Sequence, residues 1–271
     1  MTHPETYSLH PGSAPLLLSL PHTGTQIPPE LQAHYVPRAL AVEDTDWHLA
    51  RLYDFAPQMG ASVLRPHFSR YVIDLNRPPD DAPMYPGASN TELCPTRFFT
   101  GEALYLDGCA PDAAERARRR SRYWEPYHQA LQAELQRITA LHGYALLWDG
   151  HSIRSHIPWL FEGRLPDLNI GTASGASADA TVAQAVQAAC QTQAQFSQVL
   201  NGRFKGGYIT RHYGAPQRRV HAVQLEMCQS MYMQEAPPFD YRPQAATAVQ
   251  PLLQSLLAAA LHACEVLYAP R

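Results

Sequence analysis

Short apolar runs alternate along this chain with longer stretches of helical spacing. The runs 15–20, 61–65, 71–75, 144–147, 168–171 and 220–225 are rich in Leu, Val, Ile and Ala. Proline, glycine or charged residues bound them, and their length suits buried strands. Another strand is expected inside the glycine-rich segment 205–214, just ahead of Arg211. Helices fill the intervals. Asp44 or Thr45 caps a segment running to about Met59, with Trp47, Ala50, Leu52 and Phe55 near helical spacing. Segment 112–142 reads as helix divided by Pro126, which suits the first turn of the second piece. Ser177 or Asp179 caps a helix to about Val199, and 244–267 closes the chain as an Ala/Leu-rich helix. Residues 78–95 form a long loop with five prolines, fit to wall or cover a site.

Strands alternating with helices predict an α/β fold, whose ligands gather at the carboxyl ends of strands. No linker or break in composition divides the chain, so one domain over 1–271 is expected. The stretch Trp148-Asp149-Gly150-His151-Ser152-Ile153-Arg154-Ser155 follows the run 144–147 and crowds an acid, a histidine and an arginine into one expected turn. His151 is a candidate metal ligand, Asp149 a partner for its imidazole, and Arg154 a fork for a carboxylate. Other strand ends carry matching chemistry. His22 follows 15–20, Glu226 ends 220–225 and Arg211 ends the strand in 205–214. Arg70, Asn76 and Arg77 bracket 71–75. Among Glu43, Asp44 and Asp46, helix capping accounts for at least one acid. Asp46 is the preferred carboxylate ligand and Glu43 the alternative.

Two histidines and a carboxylate meet the needs of a catalytic zinc, which keeps one position for water. The same set also suits Fe, Co or Mn. Glu226, standing outside the ligand set, can take the water's proton and pass it to a leaving amine. Arg70, Asn76, Arg77, Arg154 and Arg211 suit an acidic substrate, with a guanidinium fork and a flanking amide for each carboxylate.

Composition narrows the partners. The net charge is −3 and the sequence pI about 6.5, which gives no general attraction to nucleic acid or an anionic membrane. The arginines between 116 and 122 read as a solvated helix face more readily than an RNA contact. A signal peptide is not expected at the N-terminus, and no apolar run approaches the ~20 residues of a membrane helix. The five cysteines are scattered and never in Cys-x-x-Cys spacing, which fits reduced thiols in a cytoplasmic protein. Gly206-Gly207 lacks the Gly-Lys-Ser/Thr of a phosphate loop. A monomer or small homo-oligomer is expected.

Taken together, several motifs resemble the N-formylglutamate amidohydrolases. They are Leu20-Pro21-His22-Thr23-Gly24, Asp44-Thr45-Asp46-Trp47-His48, the segment 70–77, Asp149-Gly150-His151-Ser152-Ile153-Arg154-Ser155, the segments 161–169 and 204–212, and Gln224-Leu225-Glu226-Met227-Cys228-Gln229. The resemblance implies a three-layer α/β/α sandwich with a mixed central sheet, similar to zinc carboxypeptidases and phosphorylase/hydrolase-like folds. It implies hydrolysis of N-formyl-L-glutamate to L-glutamate and formate, the last step of a histidine-degradation route, with one divalent metal, zinc foremost. In the related desuccinylase and aspartoacylase group an Asp-Leu-Asn-Arg motif grips a substrate carboxylate, and Asp74-Leu75-Asn76-Arg77 reproduces it. That group's His-x-x-Glu is absent, because Thr25 stands three after His22. The ligand set implied is therefore His22 and His151 with one carboxylate, Asp46 by preference or Glu43 as the alternative. The alternatives are a deacylase of another N-acylated acidic amino acid, a carboxypeptidase-like enzyme, or a protein that only binds acidic metabolites or RNA.

Overall fold

The computed structural model describes residues 5–84 and 90–269. Among them, β1 (Tyr7–His10), β2 (Leu16–Ser19), β3 (Ser62–Pro66), β4 (Ala145–Ile153), β5 (Leu168–Gly171), β6 (Gln198–Leu200) and β7 (Val220–Cys228) form one seven-stranded sheet in the order β1-β3-β2-β4-β7-β5-β6. The inner strands β3, β2, β4 and β7 are parallel; β1 is antiparallel to β3, and β5 is antiparallel to β7. The sheet is therefore mixed, as expected.

Strand alternation sorts the inner residues onto two faces. Leu16, Leu18, Leu146, Trp148, Val223 and Leu225 join one core, which also takes in α2 (Leu49–Leu52), α5 (Ala180–Gln191) and α7 (Pro243–Tyr268). Leu17, Ala145, Leu147 and Ala222 join the other, beneath α4 (Glu125–His142). Burial on both faces explains why these strands read as unbroken apolar runs. By length and composition α7 is apolar enough to cross a membrane, which its sequence pattern did not lead us to expect. Its Val249, Leu253, Leu256, Leu257 and Ala260 are instead packed in the first core.

Several elements differ from expectation, and polar pairing explains most of them. β4 and β7 run past residues 147 and 225, so Asp149, His151 and Glu226 lie within strands and not in loops. Parallel pairing opposite each other satisfies their backbones despite the polar side chains. Residues 71–75 form turns, because Asp74 bonds its backbone N–H to Leu93 O and the Arg77 N–H returns to Asp74 O, leaving no ladder. The segment after Asp44 is not one long helix. The Asp46 N–H is drawn back to His22 O, His48 is left-handed, and only α2 is α-helical before a 3-10 turn at Ala56–Met59.

In segment 205–214 the expected strand is instead a helix, α6 (Tyr208–Tyr213), begun at Gly206 and Gly207. The helix of segment 177–199 stops at Gln191, and β6 takes its place. Short α1 (Pro29–Gln32) and β1 were not expected. The helix around Pro126 is continuous: α3 (Ala113–Arg119) passes through a π turn at Arg120–Trp124 into α4. Of the arginines there, Arg116 and Arg118 are exposed as expected, but Arg119 is buried on Tyr105 Oη and Val72 O.

Candidate active site

The alternation that buries Ala145 and Leu147 carries on to Asp149 and His151, on the same face of β4. On β7 the equivalent positions are Ala222, Gln224 and Glu226. Register pairs Asp149 with Gln224 and His151 with Glu226. Apolar positions thus turn polar at the carboxyl end of the two central strands. His22 reaches the same place from the turn after β2, and Asp46 from the turn ahead of α2, where the backbone bond to His22 O fixes it.

His22, Asp46 and His151 are buried and converge. The two Nδ1 atoms are 3.2 Å apart. Asp46 Oδ2 is 3.8 Å from Nδ1 of His22 and 3.4 Å from Nδ1 of His151. For metal bonds of ~2.0–2.2 Å, the edges of a tetrahedral zinc site are about 3.3–3.6 Å. Two imidazole nitrogens and a carboxylate oxygen facing one another this closely repel unless a proton or cation lies between them. The donor set and its spacing therefore fit a divalent cation.

The far nitrogens of both imidazoles are held by buried acids. Asp74 Oδ1 lies 2.7 Å from His22 Nε2, and Asp149 Oδ1 lies 3.1 Å from His151 Nε2. Such carboxylate partners orient a ligating histidine and raise its basicity. Burial and the Arg70 charge lower the pKa of His22, which keeps it neutral. His151 moves the other way. Burial opposes its charge, but Asp149, a hydrogen bond to Asp46 and the Glu226 charge raise its pKa well above the ordinary value. Burial is also the main force on Glu226, pushing its carboxyl up to about 8.

The cavity beside this cluster is lined by three arginines, Arg70, Arg77 and Arg203, and by Asn76, Gln224 and Glu226. Phe99, Ile153, Leu160 and Phe204 supply its apolar wall. The arginines are held differently. Arg70 is ion-paired to Asp74 at 2.6 Å, sits near His22 Nδ1 at 3.3 Å and lies over the Phe99 ring. Arg77 donates to Thr91 O, Thr91 Oγ1 and Asn76 O, acceptors with no net charge. Among the described residues its hydrogen-bond partners are thus uncharged, and its positive charge, offset in part by nearby Asp74, can still meet an anion.

Most of the site residues expected from sequence meet here: His22, Asp46, His151, Glu226, Arg70, Asn76 and Arg77. Asp46 takes the carboxylate position. Glu43 turns away into a two-bond pair with Arg38. Asn76 lines the cavity, but its amide is committed: Oδ1 accepts from Ile209 N, and Nδ2, packed 2.9 Å from His151 Nε2, donates to Asp149 Oδ2 at 3.4 Å. It braces the His151–Asp149 pair and is not a free donor for substrate. Arg154 and Arg211 are not among the cavity's lining residues. Arg154 follows the end of β4 and pairs with buried Asp44 at 2.7 Å. Arg211 sits in the last turn of α6 and donates to Gly206 O.

Sequence reading missed Asp74 as the partner of His22. Its signal was Arg70 four residues earlier, which supplies the charge a buried carboxylate needs. Holding Asp74 between them, Arg70 and His22 keep its pKa well below the usual range although burial alone would raise it. Gln224 and Arg203 were also missed. Gln224 Oε1 accepts from Gly207 N at 2.6 Å. Arg203 sits beside Phe204 in a loop without periodic signal.

The N-formylglutamate amidohydrolase family profile matches residues 14–233. The N-formylglutamate deformylase of Pseudomonas aeruginosa is 54% identical over 258 residues, covering 94% of this chain and 97% of that protein. That of Pseudomonas putida is 52% identical over 254 residues, covering 94% and 95%. Among solved structures, the N-formylglutamate amidohydrolase of Ralstonia eutropha JMP134 superposes with a TM-score of 0.79 at 22% identity, covering 96% of this chain and 98% of that one. A gene product from Agrobacterium tumefaciens gives 0.73 at 19% identity, covering 96% of each. These two likenesses fix the fold, and the family match with the two close relatives fixes the lineage: the chain belongs to the N-formylglutamate amidohydrolase family.

Proposed function

We propose that this enzyme hydrolyses N-formyl-L-glutamate to L-glutamate and formate, with a divalent cation, zinc by its ligand set, bound by His22, Asp46 and His151. The observation that carries this reading is the convergence of those donors beside buried Glu226, in a cavity walled by arginines, within a chain of this family.

When bound there, the cation would polarise the formyl carbonyl and lower the pKa of an attacking water. Glu226 then does the proton work. It lies opposite His151 in the sheet and lines the same cavity; in its ionised form, which a bound cation would favour against the burial that raises its pKa, it takes the water's proton and returns it to the leaving amino nitrogen. The C–N bond breaks, the new C–O bond completes formate, and the amine leaves protonated. Arg77 anchors a glutamate carboxylate through its guanidinium charge. Arg70, locked by Asp74 next to His22, stabilises negative charge on the former carbonyl oxygen. A formyl group is tiny, so the acyl end of the cavity should be tight and should favour formyl over larger acyl groups.

The reaction is taken as a cytoplasmic step of histidine degradation. A panel of N-formyl-L-glutamate, N-formyl-L-glutamine, N-acetyl-L-glutamate and a peptide with C-terminal glutamate tests it. The formylglutamate should be turned over with kcat/KM at least ~100-fold above the others, since formylglutamine lacks the side-chain carboxylate and the acetyl and peptidyl groups are larger than the formyl group the acyl end must hold. Faster cleavage of the acetylated amino acid or the peptide would favour the acylase or carboxypeptidase-like alternative.

A further inference from the structure

The turn at residues 74–77 carries three groups of the site: Asp74 on His22, Asn76 on His151, and Arg77 on the cavity wall. It has no strand ladder to fix it. Its carbonyls are instead gripped from outside. Leu75 O lies 2.9 Å from His128 Nε2, and Arg77 O accepts from Trp124 Nε1 at 3.0 Å. Because a carbonyl can only accept, Nε2 of His128 carries the proton, and its Nδ1 accepts from the Tyr213 hydroxyl at 2.9 Å. The Trp124 and His128 rings are stacked, with centroids 3.7 Å apart.

Pro126 helps explain this arrangement. A proline inside a helix has no N–H to give, and its ring would strike the carbonyl four residues earlier. The helix widens just before it, and Glu125 N–H bonds to Arg120 O across the π turn. Such a turn inserts one residue and rotates the helix beyond it. Trp124 and His128, four apart, then share one helix face and present both ring N–H groups to the turn.

We propose that Trp124 and His128 are positioning residues: by fixing the carbonyls of Arg77 and Leu75 they set Asp74, Asn76 and Arg77 against the metal cluster and the substrate. This rests on the cluster being the metal site described above. Neither residue touches the cluster, so both act through the turn. Releasing the turn loosens the partners of both metal-binding histidines, and the loss of such partners typically costs 10–100-fold in metal affinity.

Trp124→Phe keeps an aromatic ring and removes one N–H, and His128→Phe removes the other; His128→Gln restores an amide donor at similar reach. Trp148→Phe is the control, since Trp148 is also buried, donates to Tyr53 Oη and belongs to the opposite core. Zinc affinity is measured by competition with a chromogenic chelator, alongside KM, kcat and Tm. Trp124→Phe and His128→Phe should each weaken zinc binding about 10-fold and raise KM. His128→Gln should recover most of both, and Trp148→Phe should change Tm alone. Unchanged zinc affinity in both phenylalanine variants would overturn the proposal, as would an equal loss in Trp148→Phe. The zinc titration reads out even if the wild-type protein releases no formate, so failure of the catalytic reading and failure of the positioning role are told apart.

Discussion

In the proposed mechanism Glu226 handles proton transfer and Arg77 recognition, and each role can be tested by one substitution. Glu226 is buried opposite His151, yet it is not part of the converging donor set. Glu226→Gln should therefore keep full metal stoichiometry and fold while kcat falls by ~10²–10⁴, the usual range for a lost general acid–base. A variant retaining wild-type kcat would remove Glu226 from the mechanism. Arg77 has a guanidinium whose hydrogen-bond partners among the described residues are uncharged oxygens. Arg77→Ala should raise KM roughly 10–100-fold, a charge-assisted contact of about 1.5–3 kcal/mol, with metal content unchanged. Initial-rate kinetics with metal analysis decide it, and a normal KM would end the anchoring role.

Among the elements, the buried aromatic group on α4 links fold to pH. Burial pushes His128 down to about 3, from an ordinary 6.5. The unfolded chain takes up a proton below ~6.5, but the native protein does not until near 3, so stability is lost as the pH falls through that window. His128→Phe should lose less stability than wild type between pH 7 and pH 4, read from urea midpoints. Parallel losses would contradict the assignment.

The same scale shows what the sequence revealed. The inner strands and α7 were legible because runs such as Leu16-Leu17-Leu18 and the apolar stripe of 244–267 serve the core directly. His22 and His151 were legible as strand-end chemistry, and Asp46 as a spare acid in an expected first helical turn. The turn at 71–77 and helix α6 were not. Residues 71–75 have strand composition, but Asp74 and Asn76 are recruited by histidines far away in sequence, and that pairing overrides local propensity. At the start of α6, Gly207 admits the Asn76 amide so closely that a Cβ there would collide with Nδ2. The backbone N–H groups of Tyr208 and Ile209 then bond Asn76. Such contacts have no signature at short range. Arg154 misled for the opposite reason: a strong local motif, but a side chain paired to Asp44 at the end of the strand.

At the level of the whole molecule, the three converging donors come from β4 and from two loops far apart in the chain, so a bound cation ties these segments together. A ligand at 100 times its Kd stabilises the native state by about 2.7 kcal/mol. For a chain of this size that raises Tm by roughly 5–10 °C. Calorimetry with zinc and with chelator should show that difference, and His151→Ala should abolish it; an equal rise in the variant would place the stabilising zinc elsewhere. The central claim is that one metal cluster hydrolyses N-formyl-L-glutamate. Its most direct test is formate release from that substrate by the purified protein, after exhaustive chelation, and again with zinc restored. Release should disappear on chelation and return with about one zinc per chain. Formate release that persists at full rate in metal-free protein would contradict the claim.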